Sequence, residues 1–125
     1  MLIQIDFSSE VPIYEQLVRQ IVIGISRGEL MPGELLPSVR QLGEDLGINL
    51  HTVNKAYNRL KTLGYVQVDR RSGSTIADSF PPLDIQTEEQ LKAEIEYILA
   101  DWHNRGKSHD ELIALMKEIE ERRTP

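Results

Sequence analysis

The chain has 125 residues, a formal net charge of -6, 40% hydrophobic residues and no cysteine. That length holds one compact domain, or a small domain with an appendage, and the missing cysteines exclude disulfides and thiolate metal sites and agree with a reducing cytoplasm. No apolar run is long enough to span a bilayer and no charged-then-apolar leader opens the chain, so a soluble, unsecreted protein without a membrane partner is expected.

Met1 to Phe7 alternates partly, with Ile3, Ile5 and Phe7 apolar, and reads as a short docked arm. Ser8-Ser9-Glu10 is a helix-start cluster and Pro12 suits a first turn, where its missing N–H has no helical partner to lose. Ile13, Tyr14, Leu17, Val18, Ile21, Val22 and Ile25 then form an apolar face broader than a surface helix needs, predicting burial on more than one side. Arg27-Gly28 closes this helix, and the Pro and Gly of Leu30 to Glu34 mark a turn.

From Leu36 to Tyr65 two helical patterns are separated by Gly47-Ile48-Asn49. Ser38 is placed to cap the first, with Gln41 reaching back as the partner of a capping box. Leu42 and Leu46 form its apolar stripe, and Gly47 permits a left-handed end. Asn49 is a strong cap for the second helix, which carries Val53, Ala56, Tyr57 and Leu60 on one side and ends at Gly64. Two short helices across a tight turn, the second opening on polar and basic residues, read as a helix-turn-helix. Tyr65 to Val68 and Thr75 to Ala77 flank the polar loop Asp69 to Ser74 and predict a β-hairpin, which at this place would be a wing. The fold class is therefore mainly α with a small β-hairpin: a winged helix-turn-helix over 1–78.

Pro81-Pro82 stiffens a linker over 79–86. A helical region over 87–125 follows, with capping boxes expected at Thr87/Gln90 and Ser108/Glu111. Its apolar residues, Leu91, Ile95, Ile98, Leu99, Trp102, Leu112, Met116 and Ile119, are the candidate dimer interface, because two short helices need the winged domain or a second copy of the chain to cover them. The charge is split along the same line. Six basic and three acidic side chains lie between Ser38 and Ala77, a net of +3, whereas 79–125 carries six basic and eleven acidic ones, a net of -5. Local field governs phosphate contact, so the acidic total is compatible with a DNA-reading segment.

The strings P-I-Y-E-Q-L, G-E-L-M-P-G-E-L-L-P-S-V-R-Q-L and G-I-N-L-H-T-V-N-K-A-Y-N-R-L-K-T-L-G-Y resemble the GntR family of bacterial transcription regulators, and the short two-helix tail is similar to its YtrA-type branch. The resemblance covers the first three-fifths of the chain by motif and the tail by length and pattern. It implies a tail that dimerises the protein and double-stranded DNA as partner. It also implies DNA contacts at Arg40 in the first helix of the motif, at Asn49, His51, Thr52, Asn54 and Lys55 early in the recognition helix, and at Arg70, Arg71 and Gly73 in the wing. Ser38 and Leu50 complete the candidate surface. Leu50-His51 departs from the Pro-Asn or Arg-Thr pair of the family pattern; leucine offers a base edge no hydrogen bond, only apolar contact with a thymine methyl.

The expected function is a homodimeric, sequence-specific repressor on a near-palindromic operator, with two recognition helices about 34 Å apart in successive major grooves. A small-molecule effector is left open, since no motif specifies one. The competing reading is a winged helix used as a protein-interaction module without DNA binding. An enzyme is not expected: no nucleophile motif or phosphate loop is present and the tail is too short for an appended aminotransferase domain. No cofactor is expected either. His103, His109, Asp110 and Glu111 match no compact metal-ligand spacing, and the two acids suit the first turn of a helix.

Overall fold

The computed structural model describes residues 3–123, in two compact units that divide between Phe80 and Pro81. The first holds α1 (Ile13–Ser26), α2 (Val39–Leu46), α3 (Leu50–Thr62) and an antiparallel hairpin of β1 (Val66–Asp69) and β2 (Gly73–Ile76). The second holds α4 (Ile85–Asn104) and α5 (His109–Arg123).

One core organises the first unit. Leu17 and Ile21 of α1, Val53 and Leu60 of α3 and Ile76 of β2 are fully buried, and Leu30, Leu36, Leu42, Tyr57 and Val66 close around them. Burying each large side chain contributes roughly 1.5–3 kcal/mol, which is what fixes three short helices that would be marginal alone. The broad face of α1 is used as its pattern requires: Leu17, Val18, Ile21 and Gly24 are buried, and Tyr14, Val22 and Ile25 pack against the core from its edges.

The N-terminal arm docks through side chains instead of strand pairing. Gln20 accepts from the Gln4 N–H at 3.0 Å and donates to the Gln4 carbonyl at 2.6 Å, and Gln16 accepts from the Asp6 N–H at 2.9 Å. Ile3 and Ile5 rest on the core; Met1 and Leu2, also assigned to the arm, lie outside the described residues. Ser8, Ser9 and Glu10 do not start α1, correcting the expectation from sequence. Ser9 Oγ accepts from the Val11 N–H, Asp6 accepts from Ser8, and α1 begins only after Pro12, with no side-chain cap. The reason is Pro12 itself, whose ring drives Val11 out of the helical region.

Segment 33–36, of which Gly33 and Glu34 were read from sequence as part of a turn, pairs with the outer edge of β2. The Leu36 N–H donates to the Ser74 carbonyl at 2.8 Å, and the Ile76 N–H donates to the Glu34 carbonyl at 2.9 Å. The hairpin is also tighter than expected. Asp69 pairs with Gly73, so the loop shrinks to Arg70-Arg71-Ser72.

In the second unit the Ser108/Glu111 box forms in both directions, each bond 3.1 Å, and the Trp102 indole N–H donates to the Ser108 carbonyl at 2.8 Å, tying the end of α4 to the start of α5. The Thr87/Gln90 box does not form. Asp84, in extended backbone, accepts from the Thr87 N–H at 2.7 Å and starts α4 at Ile85, inside the stretch expected to be linker. Leu112 is the one buried residue among those described in this unit; Leu91, Ile95, Ile98, Leu99, Met116 and Ile119 are all more than 40% exposed.

Candidate nucleic-acid interface

The turn between α2 and α3 is built by local chemistry. Ser38 Oγ accepts from the Gln41 N–H at 3.0 Å and starts α2, while the Gln41 side chain, instead of closing a capping box, donates to Asp45 at 2.7 Å. Gly47, at φ +68°, ends the helix in the left-handed region. Two residues later Asn49 Oδ1 accepts from the His51 N–H at 2.8 Å and starts α3. The crossing is close: a Cβ on Gly43 would stand 3.0 Å from the Ile48 carbonyl oxygen, so a side chain there would push the turn away from α2. Tyr57 locks the same corner from below. Its hydroxyl donates to the Pro37 carbonyl at 2.8 Å, and burial raises its pKa to about 12, so it remains a donor at any physiological pH.

With Val53, Ala56, Tyr57 and Leu60 turned inward, α3 presents its opposite face to solvent. His51, Lys55, Asn58 and Thr62 follow one another at four- and three-residue steps and form one exposed stripe. Asn54 is exposed beside it, Thr52 is half-buried, and Leu50 is 43% exposed at the first position of the helix. Arg40 is exposed on α2 and shares a shallow groove across the turn with Gly43, Glu44, Gly47, Ile48 and Leu50. Ser38 and Asn49 each commit an oxygen to a helix cap, which leaves the Asn49 amide NH2 for an outside partner.

The wing follows α3 without slack. Gly64 turns the chain at φ +86°, the Tyr65 N–H donates to the Leu60 carbonyl at 2.9 Å, and Val66 enters the core. The Tyr65 and Phe80 rings meet at 5.2 Å, and the Ala77 N–H donates to the Tyr65 carbonyl, closing the base of the hairpin. Arg70 and Arg71 stand exposed at the tip, where Asp69 accepts from the Arg71 N–H at 2.8 Å. Gly73, at φ +93°, returns the chain into β2 in a conformation that a side chain would strain.

The structure thus brings Ser38, Arg40, Asn49, Leu50, His51, Thr52, Asn54 and Lys55 together around one turn and sets Arg70, Arg71 and Gly73 on the hairpin that follows. It adds two residues that sequence reading passed over. Asn58 continues the His51–Lys55 stripe into the third turn, a position legible from helical spacing alone. Tyr14, assigned only to the apolar face of α1, carries the Lys55 ammonium 4.1 Å above the centre of its ring. In the tail, Asp110 and Glu111 occupy the first turn of α5, and Glu111 accepts from the Ser108 N–H as a cap.

The profile of the family described as bacterial regulatory proteins, gntR family, matches residues 13–76. The chain is 33% identical over 119 residues to the HTH-type transcriptional repressor YtrA of Bacillus subtilis, a match spanning 94% of this chain and 92% of that one. Among solved structures it is similar to a transcriptional antiterminator from Listeria monocytogenes, with a TM-score of 0.88 at 26% identity over 96% of this chain and 90% of that chain. It is also similar to YtrA from Sulfolobus acidocaldarius, a GntR-family transcription factor, with a TM-score of 0.66 at 38% identity over 80% and 99% of the two chains. The matched region runs from the start of α1 to the end of the wing, and the alignment with the Bacillus repressor continues through the tail. By these matches the chain belongs to the gntR family, in its short YtrA-type branch, and is a DNA-binding transcriptional regulator rather than an enzyme.

Proposed function

We propose that the protein is a homodimeric repressor that binds a near-palindromic operator through paired recognition helices, one per half-site. The observation that carries this reading is the division of α3 into a fully used inner face and an exposed polar outer stripe, His51, Lys55 and Asn58, held at a rigid capped turn. A helix of this build fits a major groove, where donors and acceptors on its first two turns meet base edges. Arg40 and the wing residues Arg70, Arg71 and Gly73 serve as phosphate or minor-groove contacts that set register; Asn49, Leu50, His51, Thr52 and Asn54 surround the bases. Repression is supported by the similarity to the Bacillus relative, a transcriptional repressor.

Dimerisation is supported by the tail. A two-helix unit with Leu112 as its one buried described residue leaves Leu91, Ile95, Ile98, Leu99, Met116 and Ile119 in water. That arrangement is unstable alone and becomes favourable when a second copy covers it. No effector is assigned.

The test is operator selection from a random duplex pool, followed by titration of variants at several salt concentrations. Arg40→Ala is expected to weaken all sequences and lower the salt slope by about one. His51→Ala is expected to change the preferred bases and leave the slope unchanged. Failure to enrich any sequence, with salt-insensitive binding, would reject the reading.

A further inference from the structure

We infer that Tyr14 is a positioning residue for DNA: its ring holds the Lys55 ammonium at the flank of α3 where a backbone phosphate passes. This rests on the reading that α3 enters the major groove. The Lys55 Nζ stands 4.1 Å from the Tyr14 ring centre, well inside the roughly 6 Å range over which the negative face of an aromatic ring attracts a cation. Among the described residues Lys55 takes part in no ion pair. A ring differs from a carboxylate in the respect that matters here. It orients the ammonium without neutralising it, so the full charge stays available to an anion.

The geometry of α3 gives that placement its meaning. Lys55 belongs to the exposed stripe with His51 and Asn58, yet its end is drawn toward α1, across which α3 packs. A lysine on the groove-facing stripe would ordinarily sweep through many rotamers on a flexible four-carbon stem. Anchoring it over a ring that is itself half-buried against the core narrows that spread. The charge is aimed at the edge of the helix and away from its centre, which suits a phosphate more than a base. Tyr14 therefore acts through Lys55, and its own side chain need not touch DNA.

The test is a double-mutant cycle on the full chain, using one duplex selected by the wild-type protein from a random pool. Lys55→Met is expected to weaken binding about tenfold and lower the salt slope by about one, the signature of one lost phosphate contact. Tyr14→Leu is expected to weaken it about two- to fivefold, the scale of an exposed cation–π contact, and to move the slope the same way by less. In the Lys55→Met background Tyr14→Leu should then add nothing, and with Lys55 in place Tyr14→Phe, which keeps the ring, should bind with wild-type affinity.

Equal losses from Tyr14→Leu with and without Lys55 would overturn the proposal, as would a Tyr14→Phe loss as large as that of Tyr14→Leu. A wild-type NMR spectrum guards against a folding artefact: the Lys55 ε-protons should be shifted upfield by the ring, and unshifted ε-protons would equally overturn it. If no duplex is enriched and binding is insensitive to salt, the groove reading has failed instead, and this inference falls with it.

Discussion

The two units of this protein solve the burial of apolar surface in opposite ways. The winged unit closes around a core: five large side chains are fully buried, and although Phe7, Met31, Leu35 and Val68 stay exposed, its reading face is polar because every apolar position of α3 after Leu50 has been turned inward. The tail does not close. Its α4 and α5 are well capped, and exposed ion pairs lie on and beside them, yet a row of leucine, isoleucine and methionine side chains remains open to solvent. Exposed i,i+3 and i,i+4 pairs contribute little stability, so good local design cannot substitute for a covered face. The difference separates two jobs. On the function proposed above, the self-contained unit presents chemistry to DNA and the open unit recruits the second copy.

The sharpest way to break that comparison is to damage each side and ask whether protein concentration matters. Leu60→Ala empties a fully buried site in the winged unit and is expected to lower stability by about 2–5 kcal/mol. Denaturant melts at widely spaced protein concentrations should show the same loss throughout. Ile98→Glu places a charge on a tail position that is 56% exposed, where a lone chain would tolerate it. It is expected to leave the winged unit folded by circular dichroism but to shift sedimentation toward monomer. Operator affinity should drop about 100-fold as the avidity of two linked heads is lost. An unchanged sedimentation profile would sink the account of the tail as a dimer surface.

A smaller effect sharpens the same contrast inside the winged unit. Tyr57→Phe keeps the ring in the core and removes the hydroxyl that donates to the Pro37 carbonyl just before the α2 cap. Leaving that part-buried carbonyl without its donor is expected to lower stability by about 1 kcal/mol. Amide exchange should quicken at the start of α2 before it does elsewhere. Uniform quickening across the unit would show that the hydroxyl does not anchor this corner.

The helix-turn-helix was legible in the sequence because its determinants are short-range. Ser38, Gly47 and Asn49 act on backbone groups within three residues, and the inward stripe of α3 is a matter of spacing. What escaped notice depended on contacts between distant parts of the chain. The pairing of 33–36 with β2 joins residues some forty positions apart, and nothing in Pro32-Gly33-Glu34 announces it. Gly43 reads as an unremarkable helix glycine until the Ile48 carbonyl is seen beside it. Tyr14 looked like core because it sits in an apolar stripe, and its second use appears only once Lys55 is placed above it. Thr87 misled for a local reason: a better cap, Asp84, stands three residues earlier and takes the N–H. Of the expected dimer residues, Leu112 is already buried within its own unit and Trp102 is half-buried with its indole N–H engaged, so the open face lies on the others.

The caps supply the mildest and most selective probe of the two units. The helices of the reading head are capped by Ser38 and Asn49, neither of which titrates. Those of the tail use titrating acceptors as well: Asp84 caps α4, and at α5 Glu111 accepts from the Ser108 N–H while the Ser108 hydroxyl caps the helix, both carboxyls being held below their ordinary values of 3.8 and 4.5 by hydrogen bonds from Thr87 and from Ser108. A carboxyl group whose pKa is lower in the folded state binds protons more readily when unfolded. Its contribution is therefore complete above the ordinary value and is lost as pH falls through the lowered one. Between pH 5 and 7 the tail should be indifferent to acid; below about pH 4 its helices should loosen while α2 and α3 keep their caps. Residue-resolved amide exchange across that range would detect it, with faster exchange first at the starts of α4 and α5. Asp84→Ala should bring on that loosening of α4 at neutral pH. If acid instead opens α3 as early as α5, the tail is not the acid-sensitive half, and the division of labour drawn from its caps is wrong.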